Sequence, residues 1–171
     1  MPTCPRCALL AVALAALAFT GCDSNNPGAD LTLIEGVYQV EELVFRPSGP
    51  GISPVDVGAS LDPAVTRFEI FGADGEGEIV FKIRDEGTTR TTLSASASRG
   101  RASFRARADD DAAKLARLLL PTQFALTYSA DAPGRLTGDF TQTTNLQAFD
   151  PVRYQGATSI PGTLTVRLAR R

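Results

Sequence analysis

The chain of 171 residues contains no histidine and no tryptophan, and it has only two lysines and three cysteines. Without histidine, the sequence lacks the usual general base of enzymes and the commonest metal ligand of proteins. The two lysines, Lys82 and Lys114, lie on an expected outer strand face and an expected helix, so a Ser/Lys nucleophile pair has little support. We therefore expect no catalytic residues, no metal and no cofactor, and the protein is not expected to be an enzyme.

Long apolar runs are also absent, apart from one of twelve residues between Ala8 and Phe19. A helix needs about 20 apolar residues to cross a bilayer, so this run is too short for a permanent transmembrane helix. The arginine at position 6 precedes the run and the small residues Thr20 and Gly21 follow it, which is typical of a secretory signal. Residues 1–21 are interpreted as a signal peptide.

The signal ends in "LAFTGC", which resembles the lipobox of bacterial lipoproteins. In that family the cysteine is diacylated, for example with palmitate, and becomes the first residue of the mature chain. The resemblance implies lipid attachment at Cys22, with residues 22–30 as a lipidated tether and residues 31–171 as the folded domain. The alternative is an ordinary cleaved signal that leaves Cys22 as a free thiol.

The remaining cysteines, Cys4 and Cys7, form a C-x-x-C pair inside the segment to be removed, so a zinc or redox site is not expected there. Removal of residues 1–21 takes away one arginine and no acid, which leaves 16 basic against 19 acidic residues. This near balance of charge argues against nucleic acid as a partner.

From Gly36 onward the apolar residues recur mostly at every second position, which predicts strands with one buried face. In the segment 78–84, for example, Ile79, Phe81 and Ile83 are expected to face inward. Glu78 and Lys82 would then face outward. Eight such segments are predicted, at residues 36–45, 66–71, 78–84, 89–97, 101–108, 123–130, 135–143 and 163–169.

One short helix is predicted between the fifth and sixth strands. The acidic residues 109–111 are favourable at a helix amino terminus, Leu115 and Leu118 share an apolar face, and Pro121 ends the helix. The acidic triplet is interpreted as charge at a helix amino end, not as a calcium site. The connection between the first and second predicted strands is long, as is that between the seventh and eighth. The connections between the second and third, the fourth and fifth, and the sixth and seventh strands are tight. In an up-and-down antiparallel sheet every elaborated connection would then lie at one end.

The sequence thus predicts an all-β fold: a single eight-stranded up-and-down antiparallel barrel, with a β-sandwich as the alternative. Such a barrel can hold one small ligand. The inward aromatic residues Tyr38, Phe81, Phe104, Tyr128 and Phe140 are candidate ligand-lining residues, although aromatic residues at this spacing also form ordinary cores. Small inward residues such as Ala95 and Ala102 would either leave space or fit the taper of a packed barrel.

An opening strand with "GVY" at Gly36 to Tyr38, after a signal and a short tether, resembles the lipocalin-like proteins of bacterial envelopes. The resemblance implies a non-enzymatic cup for apolar molecules. In the long connection between the last two strands, "FDPVRY" places Phe149, Arg153 and Tyr154 where a partner could meet them. These three are the candidate rim contacts.

We therefore expect a protein of the bacterial cell envelope, attached by lipid to the inner or the outer membrane. The first functional hypothesis is a binding module for a small apolar or amphipathic ligand. The alternative is a structural or assembly protein that docks another envelope protein through its loop rim. An empty interior that opens between the long loops would favour the first hypothesis, and a filled interior the second.

Overall fold

The computed structural model describes residues 27–171, which form nine strands and three short helices. The strands are β1 (Gly36–Pro47), β2 (Val55–Asp56), β3 (Arg67–Phe71), β4 (Glu76–Phe81), β5 (Thr89–Ser98), β6 (Arg101–Ala106), β7 (Gln123–Ser129), β8 (Ala132–Thr144) and β9 (Ile160–Arg170). The helices are α1 (Pro27–Leu33), α2 (Asp109–Arg117) and α3 (Leu146–Phe149), and a 3-10 turn spans Gly58–Ser60. The predicted signal peptide and Cys22 lie outside the described residues.

Eight of the strands close into an antiparallel up-and-down barrel, which confirms the predicted fold. Consecutive strands from β3 to β9 pair in sequence order, and β1 pairs with both β3 and β9. The closing ladder between β1 and β9 runs from Tyr38 opposite Arg170 to Pro47 opposite Gly162, with a bulge between Val40 and Glu42. Since no edge of the eight-stranded wall stays open along this ladder, the barrel avoids the exposed edges of an open sheet.

The long connection after β1 forms part of the wall. β1 pairs with β3 only from Gly36 to Tyr38, and the short strand β2 pairs with β1 further along, at Val44 and Phe45. Val55, Val57 and Leu61 of this connection are buried, and Leu61 forms an isolated bridge with Ile83. The sequence predicts a loop here, because a two-residue strand is too short to show an alternating pattern.

The barrel core is built from the alternating residues that the sequence indicates. Phe104 lies at its centre, with ring centroids 5.0 Å from Phe68 and 5.3 Å from Phe124, and Phe140 lies 6.0 Å beyond Phe124. The small residues Ala97 and Ala102 are 2% and 0% exposed. The aromatic cluster occupies the interior, so these alanines accompany a packed core.

β4 departs from the predicted alternation on its outer face. It ends at Phe81 instead of Arg84, and both Glu78 and Val80 are buried. Glu78, predicted to face solvent, is 8% exposed and pairs with Arg90 of the neighbouring strand at 2.9 Å. The prediction for Glu78 fails because a charged side chain can be covered when a cross-strand arginine satisfies it.

The two ends of the barrel differ, as predicted. The plain end carries the tight connections at residues 72–75, 99–100 and 130–131, and the loop-bearing end carries those at residues 48–66, 82–88, 107–122 and 145–159. Because neighbouring strands are antiparallel, alternate connections emerge at opposite ends. The predicted helix is α2, which follows β6 and belongs to the loop-bearing end.

Helix α1 covers the plain end. Leu31 and Ile34 are 1% and 0% exposed, the side chain of Asp30 accepts the backbone N–H of Arg99 at 3.0 Å, and the hydroxyl of Tyr38 donates to the carbonyl of Ile34 at 2.7 Å. α1 begins at Pro27, inside the segment 22–30 that the sequence assigns to the tether. A seven-residue helix is too short for its periodicity to be recognised, and only its packing against the barrel stabilises it.

Candidate functional site

The barrel interior is filled. An apolar void inside the barrel has a volume of about 20 Å³ and lies between Leu43, Phe68, Phe124 and Leu126. That is room for about one water molecule, and the lining offers a water almost no polar partner. Sites for small organic ligands are usually about 300 to 1,000 Å³.

The five candidate ligand-lining residues are placed in the core and at both ends of the barrel, and none of them borders this void. Tyr38 and Tyr128 lie towards the plain end, where burial raises the pKa of each phenol. Phe104 and Phe140 belong to the aromatic cluster. Phe81 is fully buried, and the guanidinium of Arg117 lies 5.9 Å from the centre of its ring.

The loop-bearing mouth is closed by α2 and the residues after it. The side chains of Leu115, Leu118 and Leu119 are at most 3% exposed. Leu118 and Leu120 also line the small apolar void. Gln142 of β8 donates to the carbonyl of Leu119 at 2.7 Å and holds this segment down. This segment therefore covers the loop-bearing end of the barrel.

Asp111 attaches α2 to β5. Its carboxylate accepts hydrogen bonds from the hydroxyl of Thr91 and from the hydroxyl and the backbone N–H of Thr92, at 3.0 to 3.2 Å. Burial by itself would raise the pKa of Asp111, but these hydrogen bonds and the charge of Lys114 outweigh burial, so the pKa is lowered. The acidic run at residues 109–111 predicts a helix amino terminus but not this contact, because the sequence does not show which of the three aspartates faces the sheet.

A surface groove of about 370 Å³ lies on the loop-bearing end between the connections 48–66 and 145–159. One wall is formed by Gly51, Ile52 and Ser53 and the other by residues 153–155 with Ala157. No backbone hydrogen bond is made by the N–H groups of Gly51, Ile52 or Ser53 to another described residue. These N–H groups can therefore pair with a bound chain.

The three candidate rim contacts lie together beside this groove. The rings of Phe149 and Tyr154 are 6.5 Å apart, and the guanidinium of Arg153 lies 5.2 Å from the centre of the Tyr154 ring. The side chain of Asp150 accepts the backbone N–H groups of Val152 and Arg153 at 3.1 and 2.9 Å, which fixes the turn. Tyr154 is buried, so it supports the groove wall while Arg153 is exposed.

Arg153 makes no ion pair with any carboxylate of residues 27–171. A guanidinium held over an aromatic ring keeps its charge and its planar donors available. Val152, next to it, is 91% exposed, although the sequence gives no sign that it projects. Within residues 27–171, the groove thus combines an arginine that has no carboxylate partner with backbone N–H groups that make no backbone hydrogen bond, and the exposed side chain of Val152 lies beside it.

Three further features of the described residues concern metal binding, membrane spanning and an ion pair of β4. No group of three or more His, Cys, Asp or Glu side chains in residues 27–171 is arranged to hold a metal ion. In the same residues there is no helix of the length and hydrophobicity needed to cross a bilayer. Glu76, at the start of β4, pairs with Arg107 at 2.5 Å.

Comparison of the chain with protein families, with curated proteins and with solved structures finds no match.

Proposed function

We propose that the protein is a lipid-anchored protein of the bacterial cell envelope whose filled barrel is a scaffold for docking another envelope protein. One observation carries this proposal: the interior void measures about 20 Å³, whereas the groove between the long loops measures about 370 Å³. The space available to a partner is therefore on the surface. Binding of a small apolar ligand inside the barrel stays a prediction that the filled core does not favour.

The position of α1 supports an orientation for the docking surface. Cys22 precedes Pro27 by five residues, and an extended chain covers at most about 3.3 to 3.6 Å per residue. An acylated Cys22 would therefore hold α1 and the plain end within roughly 20 Å of the lipid. The groove, at the opposite end, would face away from the membrane.

The chemistry of the groove supports a particular kind of partner. Arg153 offers an unpaired guanidinium, which binds carboxylates through two parallel hydrogen bonds. Ile52 and Val152 offer apolar contact, and the backbone donors at residues 51–53 suit an extended chain. The partner is proposed to insert an extended segment that carries an acidic residue.

A photo-crosslinking amino acid at Val152 tests the docking surface in intact cells. Val152 is highly exposed beside the groove, and Thr141, which is exposed on the wall at β8, is the matched control position. We expect a discrete cross-linked protein from position 152 that disappears with Arg153→Glu and is absent from position 141. Equal cross-linking from both positions, or none from 152, would contradict docking at the groove.

The anchor is tested separately with Cys22→Ala. We expect this variant to leave the membrane fraction, and unchanged fractionation would remove lipidation from the proposal. Native mass spectrometry of protein purified from membranes tests the small-ligand hypothesis, which requires added mass beyond the acylated chain. The three experiments fail independently, so each part of the proposal can be rejected alone.

A further inference from the structure

The outer face of β5 and β6 carries a polar array that the docking groove does not explain. The ladder places Ser94 opposite Arg105, Ser96 opposite Ser103, and Ser98 opposite Arg101. We call these six residues the serine–arginine face. Ser96 and Ser103 thus lie between the two arginines, and Ser94 and Ser98 lie opposite them. All six side chains are on the solvent side of the sheet, because the inner positions are taken by Ala95, Ala97, Ala102 and Phe104.

Among residues 27–171, the side chains of Arg101 and Arg105 differ from those of the other strand arginines in having no partner. Five strand arginines contact a carboxylate: Arg46, Arg67, Arg90, Arg135 and Arg167. Arg170 instead donates to the carbonyl of Leu33 and to Tyr38. Arg101 and Arg105 contact no carboxylate among residues 27–171, and none of the six residues of the face is acidic. The face is therefore cationic, although the whole chain is slightly acidic.

The spacing of the two arginines suits an extended ligand. They are four residues apart on one strand, which corresponds to roughly 13 Å at about 3.3 Å per residue. A depression of about 230 Å³ lies at one end of the face, between Ser94, Ser96, Ser103, Arg105 and Gln123. The serine hydroxyls both donate and accept hydrogen bonds, so they can bind the hydroxyl groups of a ligand between its two charges.

We propose that the serine–arginine face binds an acidic polysaccharide, with Arg101 and Arg105 each holding a carboxylate and the serines holding sugar hydroxyls. Guanidinium groups match the geometry of carboxylates, and hydroxyls match those of a sugar. A protein partner is not favoured, because its hot spots need buried apolar or aromatic anchors and the face offers none. A single-stranded nucleic acid is not favoured either, because the face has no aromatic ring on which bases could stack.

The test measures binding of the full-length protein, purified in neutral detergent, to polygalacturonate, with uncharged dextran as the control polymer. The variant Arg101→Ser/Arg105→Ser removes both charges and keeps the row of hydroxyls. The variant Arg84→Ser/Arg171→Ser is the matched control, because neither arginine belongs to the face or to the groove, neither pairs with a carboxylate of residues 27–171, and its net charge is the same. All three proteins are first checked for equal thermal unfolding.

We expect wild type and the Arg84→Ser/Arg171→Ser control to bind polygalacturonate and not dextran, with an affinity that falls as salt is raised. Loss of Arg101 and Arg105 is expected to weaken binding at least about tenfold, since each charge-assisted hydrogen bond contributes on that scale. Absence of wild-type binding to polygalacturonate, or an equal loss in both double variants, would overturn the proposal. Because neither double variant alters the groove, either result leaves the docking function unaffected.

Discussion

The carboxylate of Asp111 accepts the backbone N–H of Thr92 at 3.1 Å, at the point where the ladder between β5 and β6 has ended. β6 pairs with β5 only as far as Leu93 opposite Ala106, so residues 89–92 of β5 have no β6 neighbour. Asp111, in the first turn of α2, therefore accepts a backbone N–H of β5 beyond the point where β6 ends. This contact joins the closing helix to the wall of the barrel.

Asp111→Ala is expected to lower the free energy of unfolding by about 2 to 4 kcal/mol, because three donors lose a charged, mostly buried acceptor. Asp110→Ala is the control, since Asp110 is exposed and pairs only with Lys114. Its effect should stay below about 0.5 kcal/mol. Urea unfolding followed by circular dichroism measures both, and equal effects would show that Asp111 is only a surface charge.

Acid should weaken the fold through the same residue. The pKa of Asp111 lies below its usual value of 3.8 in the folded state, so the folded protein binds this proton less readily than the unfolded chain. The resulting stabilisation is complete above pH 3.8 and is lost as the pH falls through the lower, folded pKa. We expect the free energy of unfolding to decline below about pH 4, and Asp111→Asn to decline less steeply. Parallel curves for the two proteins would contradict this origin.

Tyr38→Phe should loosen α1 without disturbing the barrel wall. It removes the hydroxyl that donates to Ile34 at 2.7 Å and accepts from Arg170 at 3.1 Å. The expected loss is about 1 kcal/mol, with faster amide exchange at Leu31 and Ile34. Tyr154→Phe is the control, because the Tyr154 hydroxyl has no hydrogen-bond partner in residues 27–171. If both variants exchange alike, the Tyr38 hydroxyl does not hold α1.

Leu126→Ala tests whether the interior is as filled as the structure indicates. Leu126 is 0% exposed and borders the 20 Å³ void, so truncation should enlarge that void. The expected cost is about 2 to 5 kcal/mol. Xenon or benzene should stabilise the variant against heat while leaving wild type unchanged. Wild-type stabilisation by the same gases or solvents would show a larger native cavity.

Gly162 of β9 lies opposite Pro47 of β1 in the closing ladder. A Cβ at this position would come within 2.5 Å of the carbonyl oxygen of Arg46 and of the Phe45 ring. Gly162→Ala should therefore cost about 1 to 3 kcal/mol through forced displacement of the closing ladder. Gly49→Ala meets nothing within 4 Å and should be nearly neutral. Thermal unfolding of the two variants measures the difference. An unchanged unfolding temperature for Gly162→Ala would mean that the β1–β9 ladder accommodates the added Cβ without strain.

The local sequence pattern predicts much of the barrel, because successive side chains of a strand point to opposite faces and apolar residues therefore recur at every second position. Ile79 and Phe81 face inward as their spacing indicates, and the helix after β6 is found where Asp109 to Pro121 predict it. Phe149, Arg153 and Tyr154 meet at the rim because they are close in the chain. By contrast, Gly51 to Ser53, which form the other groove wall, are about a hundred residues away, and no local signal joins them.

The sequence by itself determined the strands, their order and the segregation of long loops to one end, since these follow from side-chain period and connection length. Tertiary structure decided what the barrel contains and how its ends are closed. Whether inward rings leave a cavity depends on how Phe68, Phe104 and Phe124 pack against one another across the interior. That packing, and the covering of the mouths by α1 and α2, depends on contacts between distant residues, which no periodicity along the chain encodes.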